Sequence, residues 1–193
     1  MSLRSLSATG VVLACLMIAT ASADSAQSVS QARPSVGSPA PDFDTPRLDG
    51  SRLRLSDLTK DGPVALLILR GWIGYQCPVC TRQVGDFLAR AADFQAAGAS
   101  VVMVYPGDSS YVRDRAAEFI TGKTLPARYH YVQDPDLKVV NLYGVRWTAP
   151  DQHAYPSAFV IDRQGATQFA YVGKSAGDRP AIDDVLAAVR RAR

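Results

Sequence analysis

Cys77 and Cys80, in the segment Arg70-Gly71-Trp72-Ile73-Gly74-Tyr75-Gln76-Cys77-Pro78-Val79-Cys80-Thr81, are the residues whose type and spacing most directly imply chemistry. The segment follows the apolar run Val64 to Leu69 and precedes a helical pattern, so two sulfurs stand where a buried strand turns into a helix. Cys77 reads as the helix N-cap. Pro78 reads as the first helical residue, where proline's missing N–H is not needed. Unpaired N–H groups and the positive end of the helix dipole favour a thiolate, which lowers a cysteine pKa from about 8.5 toward about 3.5–7.5. One helical turn also brings the two Cα atoms within the roughly 4.4–6.8 Å that a disulfide needs. The pair can therefore cycle between dithiol and a Cys77–Cys80 disulfide.

Two plainer readings compete. A zinc site needs about four ligands. Apart from Cys15 near the start, only His130 and His153 are available to join the pair, in no ligand-like spacing, so no metal or other cofactor is expected. A purely structural bridge would close a very small loop and constrain little of the unfolded chain. Trp72 and Tyr75 flank the motif, either packing over the sulfurs or contacting substrate. Arg70 ends the apolar strand, poised to stabilise a thiolate or an incoming oxyanion, or to form an ion pair. His130, between two tyrosines on an expected strand, reads as structural. Trp147 and His153 lie in a long loop, a place where binding residues concentrate.

The composition bounds the rest. The chain has 193 residues, 47% apolar and 20% charged, with a formal charge of +3 and its only close basic cluster at Arg190, Arg191 and Arg193. That gives one domain an adequate core and no nucleic-acid footprint. Residues 1–23 read as a signal peptide: Arg4, then an apolar run from Val11 to Ala19, then Ala21-Ser22-Ala23 as the cleavage site, with export as the consequence. A lipoprotein anchor at Cys15 is the alternative. No stretch reaches the roughly 20 apolar residues of a membrane helix. Residues 24–36 read as a disordered lead-in, leaving 37–193 as the folded domain.

The order of elements sets the fold class. A hairpin turns at Asp49-Gly50-Ser51, with Ser56 opening a helical turn. Strand 64–69 precedes a helix whose face is Val84, Phe87, Leu88 and Ala91, ended by Gly98. Strand 100–105 is broken by Pro106-Gly107, and Ser109 or Ser110 caps a helix to Thr121. Strand 129–132 follows, then a helical turn from Asp134-Pro135 to Gly144. Strands 158–161 and 167–172 flank a turn, and a last helix is capped by Asp178. This is an α/β fold: a central mixed sheet flanked by helices, with an amino-terminal β-hairpin.

Three motifs carry a resemblance. Gly37-Ser38-Pro39-Ala40-Pro41-Asp42-Phe43, Pro78-Val79-Cys80-Thr81 and Tyr155-Pro156-Ser157-Ala158-Phe159-Val160-Ile161-Asp162 resemble those of the thioredoxin superfamily and, within it, the AhpC/TSA peroxiredoxin-like proteins, over roughly residues 36–192. The resemblance implies a thioredoxin-like fold, with Pro156 as a cis-proline beside the cysteines. It makes Cys80 the attacking sulfur and Cys77 the resolving one. Cys77 stands where that family usually has Thr or Ser, and Pro156 where it places a peroxide-facing arginine, a role for which Arg70 is the candidate. Strand 64–69 also lacks the carboxylate that thioredoxins bury there.

The expectation is an exported, antioxidant thiol oxidoreductase serving redox homeostasis. It would reduce hydroperoxides through a sulfenic acid and the Cys77–Cys80 disulfide, with a thiol protein as electron donor. The alternative is TlpA-like exchange with protein disulfides, in which Cys77 attacks and Cys80 releases the mixed disulfide. A non-enzymatic binding module with an inert disulfide is the third reading.

Overall fold

The computed structural model describes Met1 and residues 32–193. The expected signal peptide beyond Met1, Cys15 and the lead-in as far as residue 31 lie outside the described residues. Five strands form the main sheet in the order β5-β4-β3-β6-β7: β3 (Val64–Ile68), β4 (Ser100–Gly107), β5 (Tyr129–Pro135), β6 (Ser157–Ile161) and β7 (Thr167–Val172). β3 pairs parallel with β4 and antiparallel with β6; β4 and β5 are parallel, β6 and β7 antiparallel. The sheet is mixed, as its α/β order required. The hairpin is the separate pair β1 (Asp44–Pro46) and β2 (Arg52–Arg54).

Every residue of β3 is inaccessible to solvent because both sheet faces are covered. Side chains alternate across a strand, so Ala65, Leu67 and Leu69 enter one core and Val64, Leu66 and Ile68 the other. The first core is closed by α2 (Pro78–Ala89), α3 (Ala91–Ala96), α4 (Val112–Ile120) and α6 (Ile182–Arg191). The second is closed by the hairpin, α1 (Leu55–Asp61) and α5 (Lys138–Leu142). Both cysteines belong to the first core.

Several details differ from the sequence reading. The helix expected to run to Gly98 is two helices, broken at Arg90, whose guanidinium pairs with Asp93 at 2.6 Å and with Asp183 of α6 at 2.7 Å. β4 continues through Pro106, because beyond Val104 only β5 pairs with it and a proline is tolerated on an unpaired side. Neither Ser109 nor Ser110 caps α4. Asp108 accepts from the Ser110 N–H and hydroxyl instead, and Tyr111 is the N-cap. Asp178 accepts from the Lys174 N–H and the Tyr171 hydroxyl, leaving Ala181 as the N-cap of α6. Residues 32–36, expected in the disordered lead-in, are tied down at Arg33, which donates to the Gly144 carbonyl at 2.8 Å and lies over the Tyr155 ring.

The hairpin crosses β5: Arg47 bridges Val132, the Thr45 hydroxyl donates to the Gln133 carbonyl, and the Gln133 amide donates to the Arg47 carbonyl. Asp134, fully buried on the same strand, accepts the N–H groups of Val139 and Val140 at 2.8 and 2.9 Å and so starts α5. Replacing it with Ala orphans two buried donors and is expected to cost about 2–3 kcal/mol, read as a lowered urea midpoint. Burial raises its pKa to about 6. The folded state then holds its proton more tightly than the unfolded one. Its contribution is present below about pH 4 and lost as pH rises through about 6, a slope that Asp134→Asn should remove.

Candidate active site

β3 delivers the chain to the sulfurs. Leu69 still donates to the Val104 carbonyl, Arg70 follows, and Gly71 turns the chain at φ +81° beneath the Pro106 carbonyl. The loop to Gln76 is then held at three points. The Arg115 guanidinium lies 4.0 Å above the Trp72 ring. The Gln76 amide donates to the Arg115 carbonyl at 2.9 Å and accepts from the Tyr105 hydroxyl at 2.8 Å. His153 sits against the Trp72 backbone with its Nε2 at 2.9 Å from the Tyr111 hydroxyl.

Cys77 is the N-cap of α2 and Pro78 its first residue, as the motif predicted. The Cys77 sulfur accepts the Cys80 N–H at 3.4 Å; the Cys80 sulfur accepts the Arg70 N–H at 3.5 Å. The two are free thiols here, not the disulfide that their spacing permits. Both are nearly inaccessible, Cys77 at 2% and Cys80 at 1% exposure. They share one proton unequally. Hydrogen bonding from the Cys80 side chain and the Cys80 N–H, the charge of Arg179 and hydrogen bonding from Arg70 lower the Cys77 pKa to about 5 against the opposing effect of burial. The same hydrogen bond, burial and the negative charge on Cys77 push Cys80 upward.

Arg179 is the residue that sequence reading missed. It arrives from the turn before α6, donates through Nη2 to the Cys80 sulfur at 3.3 Å, and is braced by the Gln83 side chain and the Ala176 and Asp178 carbonyls. The only sequence signal was an arginine in a Gly-Asp-Arg-Pro turn at a helix start. Arg70, the candidate for that role, turns its guanidinium to Gln152 at 2.7 Å and over the Trp147 ring at 5.4 Å. Replacing Arg179 with Met is expected to move the Cys77 midpoint from about 5 toward about 6, followed as thiolate absorbance at 240 nm. An unmoved midpoint would make the arginine a packing residue.

The other expected site residues divide. Trp72 braces the loop, and Tyr75, 54% exposed, is presented to solvent. Thr81 donates to the Cys77 carbonyl, not to a sulfur. Pro156 precedes Ser157, the partner of Ile68 in the β3–β6 pairing, so it lies beside the end of β3. Its peptide bond is trans, correcting the cis assignment. Trp147 stacks on Tyr155 at 4.6 Å and, with His153, braces the active loop. His130 lies apart on β5, where burial lowers its pKa to about 4 and keeps it neutral. Among the described residues no group of three or more His, Cys, Asp or Glu side chains is placed to hold a metal ion.

A model of the AhpC/TSA family matches residues 36–170. The chain belongs to the AhpC/TSA family. Among solved structures it is similar to the peroxidoxin BcpB of Mycobacterium tuberculosis, with 25% identity, TM-score 0.66, and coverage of 83% of this chain and 99% of that one. A putative thiol:disulfide interchange protein DsbE of Chlorobium tepidum gives 28% identity, TM-score 0.60, and coverage of 81% and 99%. A peroxiredoxin 6 of Arenicola marina, at 14% identity, TM-score 0.64, and coverage of 80% and 71%, shares the fold. No curated protein matched. This AhpC/TSA protein is therefore a thioredoxin-like redox enzyme, a thiol oxidoreductase, with its cysteines at the strand-to-helix turn.

Proposed function

We propose that this AhpC/TSA protein reduces small hydroperoxides through Cys77 and Cys80, with Cys77 as the attacking sulfur. The observation that carries the reading is a buried cysteine pair at the N-terminus of α2, with the Arg179 guanidinium 3.3 Å from the Cys80 sulfur, in a site that admits almost no solvent. Such a site suits a two-oxygen electrophile better than a protein disulfide. The likeness to a peroxidoxin supports it. The resemblance assigned attack to Cys80; the unequal sharing of the proton favours Cys77, because the thiolate is the nucleophile.

The Cys77 thiolate attacks the distal peroxide oxygen, the O–O bond breaks, and the departing alkoxide or hydroxide takes up a proton. Arg179 stabilises the negative charge as it moves from sulfur to oxygen. Cys80 then condenses with the Cys77 sulfenic acid, forming the disulfide and releasing water. The amino-terminal segment supports an exported location, with cleavage after Ala23.

The test is rapid mixing of reduced protein with equimolar hydrogen peroxide, following thiol loss. Consumption well above that of free cysteine at the same pH is expected; a rate equal to free cysteine's would reject the peroxidase reading. Exchange with protein disulfides is the second reading. It is favoured by exposed Tyr75 two residues from Cys77 and by the likeness to the interchange protein.

A further inference from the structure

We propose that the cleft beside Cys80 receives an anionic low-molecular-weight thiol, which returns the Cys77–Cys80 disulfide to the dithiol; this rests on the cycle proposed above. The cleft has a volume of about 260 Å³ and runs between α2 and the turn before α6, lined by Arg82, Gln83, Phe87, Arg179 and Ile182. Its charge calls for an anion. Neither Arg82 nor Arg179 forms an ion pair among the described residues. Arg179 is held only by neutral groups and by the sulfur. The neighbouring Asp178 carboxylate is engaged by the Lys174 N–H and the Tyr171 hydroxyl. Asp86 also lines the cleft and offsets one of the two positive charges.

The Arg179 guanidinium lines the cleft and touches the Cys80 sulfur, so an anion bound to it is brought beside that atom. Neither sulfur lines the cleft, and their exposures are only 1% and 2%, so the thiol must pass the Arg179 side chain to reach Cys80, a passage closed to a folded donor protein by its size. The leaving group fixes the direction. The incoming thiolate attacks the Cys80 sulfur, the S–S bond breaks, and Cys77, with the lower pKa, departs as a thiolate. A second thiol attacks the bound thiol's sulfur in the mixed disulfide, releasing a small disulfide and Cys80, which takes a proton. Two thiols are oxidised, one protein disulfide is reduced, and one proton is released because Cys77 stays ionised.

The experiment compares reduction of the oxidised protein by 2-mercaptoethanesulfonate, 2-mercaptoethanol and cysteamine, with rates scaled to thiolate concentration. One charge-assisted contact predicts the anionic thiol to be about tenfold faster than the neutral one, and the cationic thiol slower than both. Added salt should shrink the ratio. Arg82→Glu should bring it toward one, and Asp86→Asn should raise it. A wild-type ratio near one, or a high ratio indifferent to both substitutions, overturns the cleft assignment while leaving the dithiol cycle intact. Failure of peroxide to produce any Cys77–Cys80 disulfide overturns the cycle and the inference together.

Discussion

Cys77→Ser is expected to abolish fast peroxide consumption, whereas Cys80→Ser keeps the first attack and halts at a Cys77 sulfenic acid that a dimedone-type trap captures. Serine at position 80 can still donate a hydrogen bond to the thiolate, so the nucleophile survives the change. The pH profile is the sharper signature. At pH 7 a thiol of pKa about 5 is nearly all ionised, against about 3% for an ordinary cysteine, a gain of about thirtyfold in thiolate. Nucleophilicity falls with basicity, and a Brønsted slope of about 0.4–0.5 removes a factor of similar size. Ionisation of Cys77 therefore gives little net advantage at neutral pH. Acceleration there is expected to come from Arg179 acting on the oxygen that leaves. Below pH 7 the balance changes, because an ordinary thiol loses tenfold in thiolate per pH unit while Cys77 does not. The wild-type rate should stay flat from about pH 8 to 6 and halve near 5. A rate that climbs through pH 8–9 would mean that Cys77 is not the reacting thiolate. The same ionisation affects folding of the reduced protein. A lowered pKa contributes stability that is complete above about pH 8.5 and lost as pH falls through about 5.

Gly71→Ala should be strongly damaging to the fold around the site. Gly71 adopts φ +81°, and a Cβ there would lie 2.3 Å from the Pro106 carbonyl oxygen and 3.0 Å from the His153 ring. The left-handed backbone alone costs about 1–2 kcal/mol. The clash is with backbone, which cannot rotate away, so a total of about 3 kcal/mol or more is expected. Gly74 supplies the control: its φ is +88°, but a Cβ at that position would meet nothing within 4 Å, so Gly74→Ala should cost about 1 kcal/mol. Equal losses in urea for the two variants would refute the contact argument. A surviving Gly71→Ala protein should also show a raised Cys77 midpoint, since the loop that places the sulfurs would have shifted.

The sulfur pair was legible because its chemistry is local. A proline at the first helical position and an N-cap cysteine are set by four consecutive residues, and the apolar run 64–69 announced a strand buried on both faces. Arg179 was not legible, because its contact with Cys80 spans 99 residues and is fixed by the docking of α6, which no local pattern encodes. Gln76 was overlooked for a related reason. Its partners, Tyr105 and the Arg115 carbonyl, come from β4 and α4. The helix break at Arg90 carries neither glycine nor proline; the ion pairs with Asp93 and Asp183 accompany it. Caps were misread at Ser109, Ser110 and Asp178, where carboxylates took nearby loop donors in preference to helix N–H groups.

The hairpin laid across β5 at Val132 and Gln133 also bears on how the protein behaves in crowded solution. A boundary strand with free N–H and C=O groups is a template for another chain, and repeated templating is how fibres grow. Here the chain's own Thr45 and Arg47 occupy those groups, so a second copy finds no free ladder at that point. Clipping between Phe43 and Arg54 would leave the sulfurs and Arg179 untouched and yet free those groups on the β5 edge.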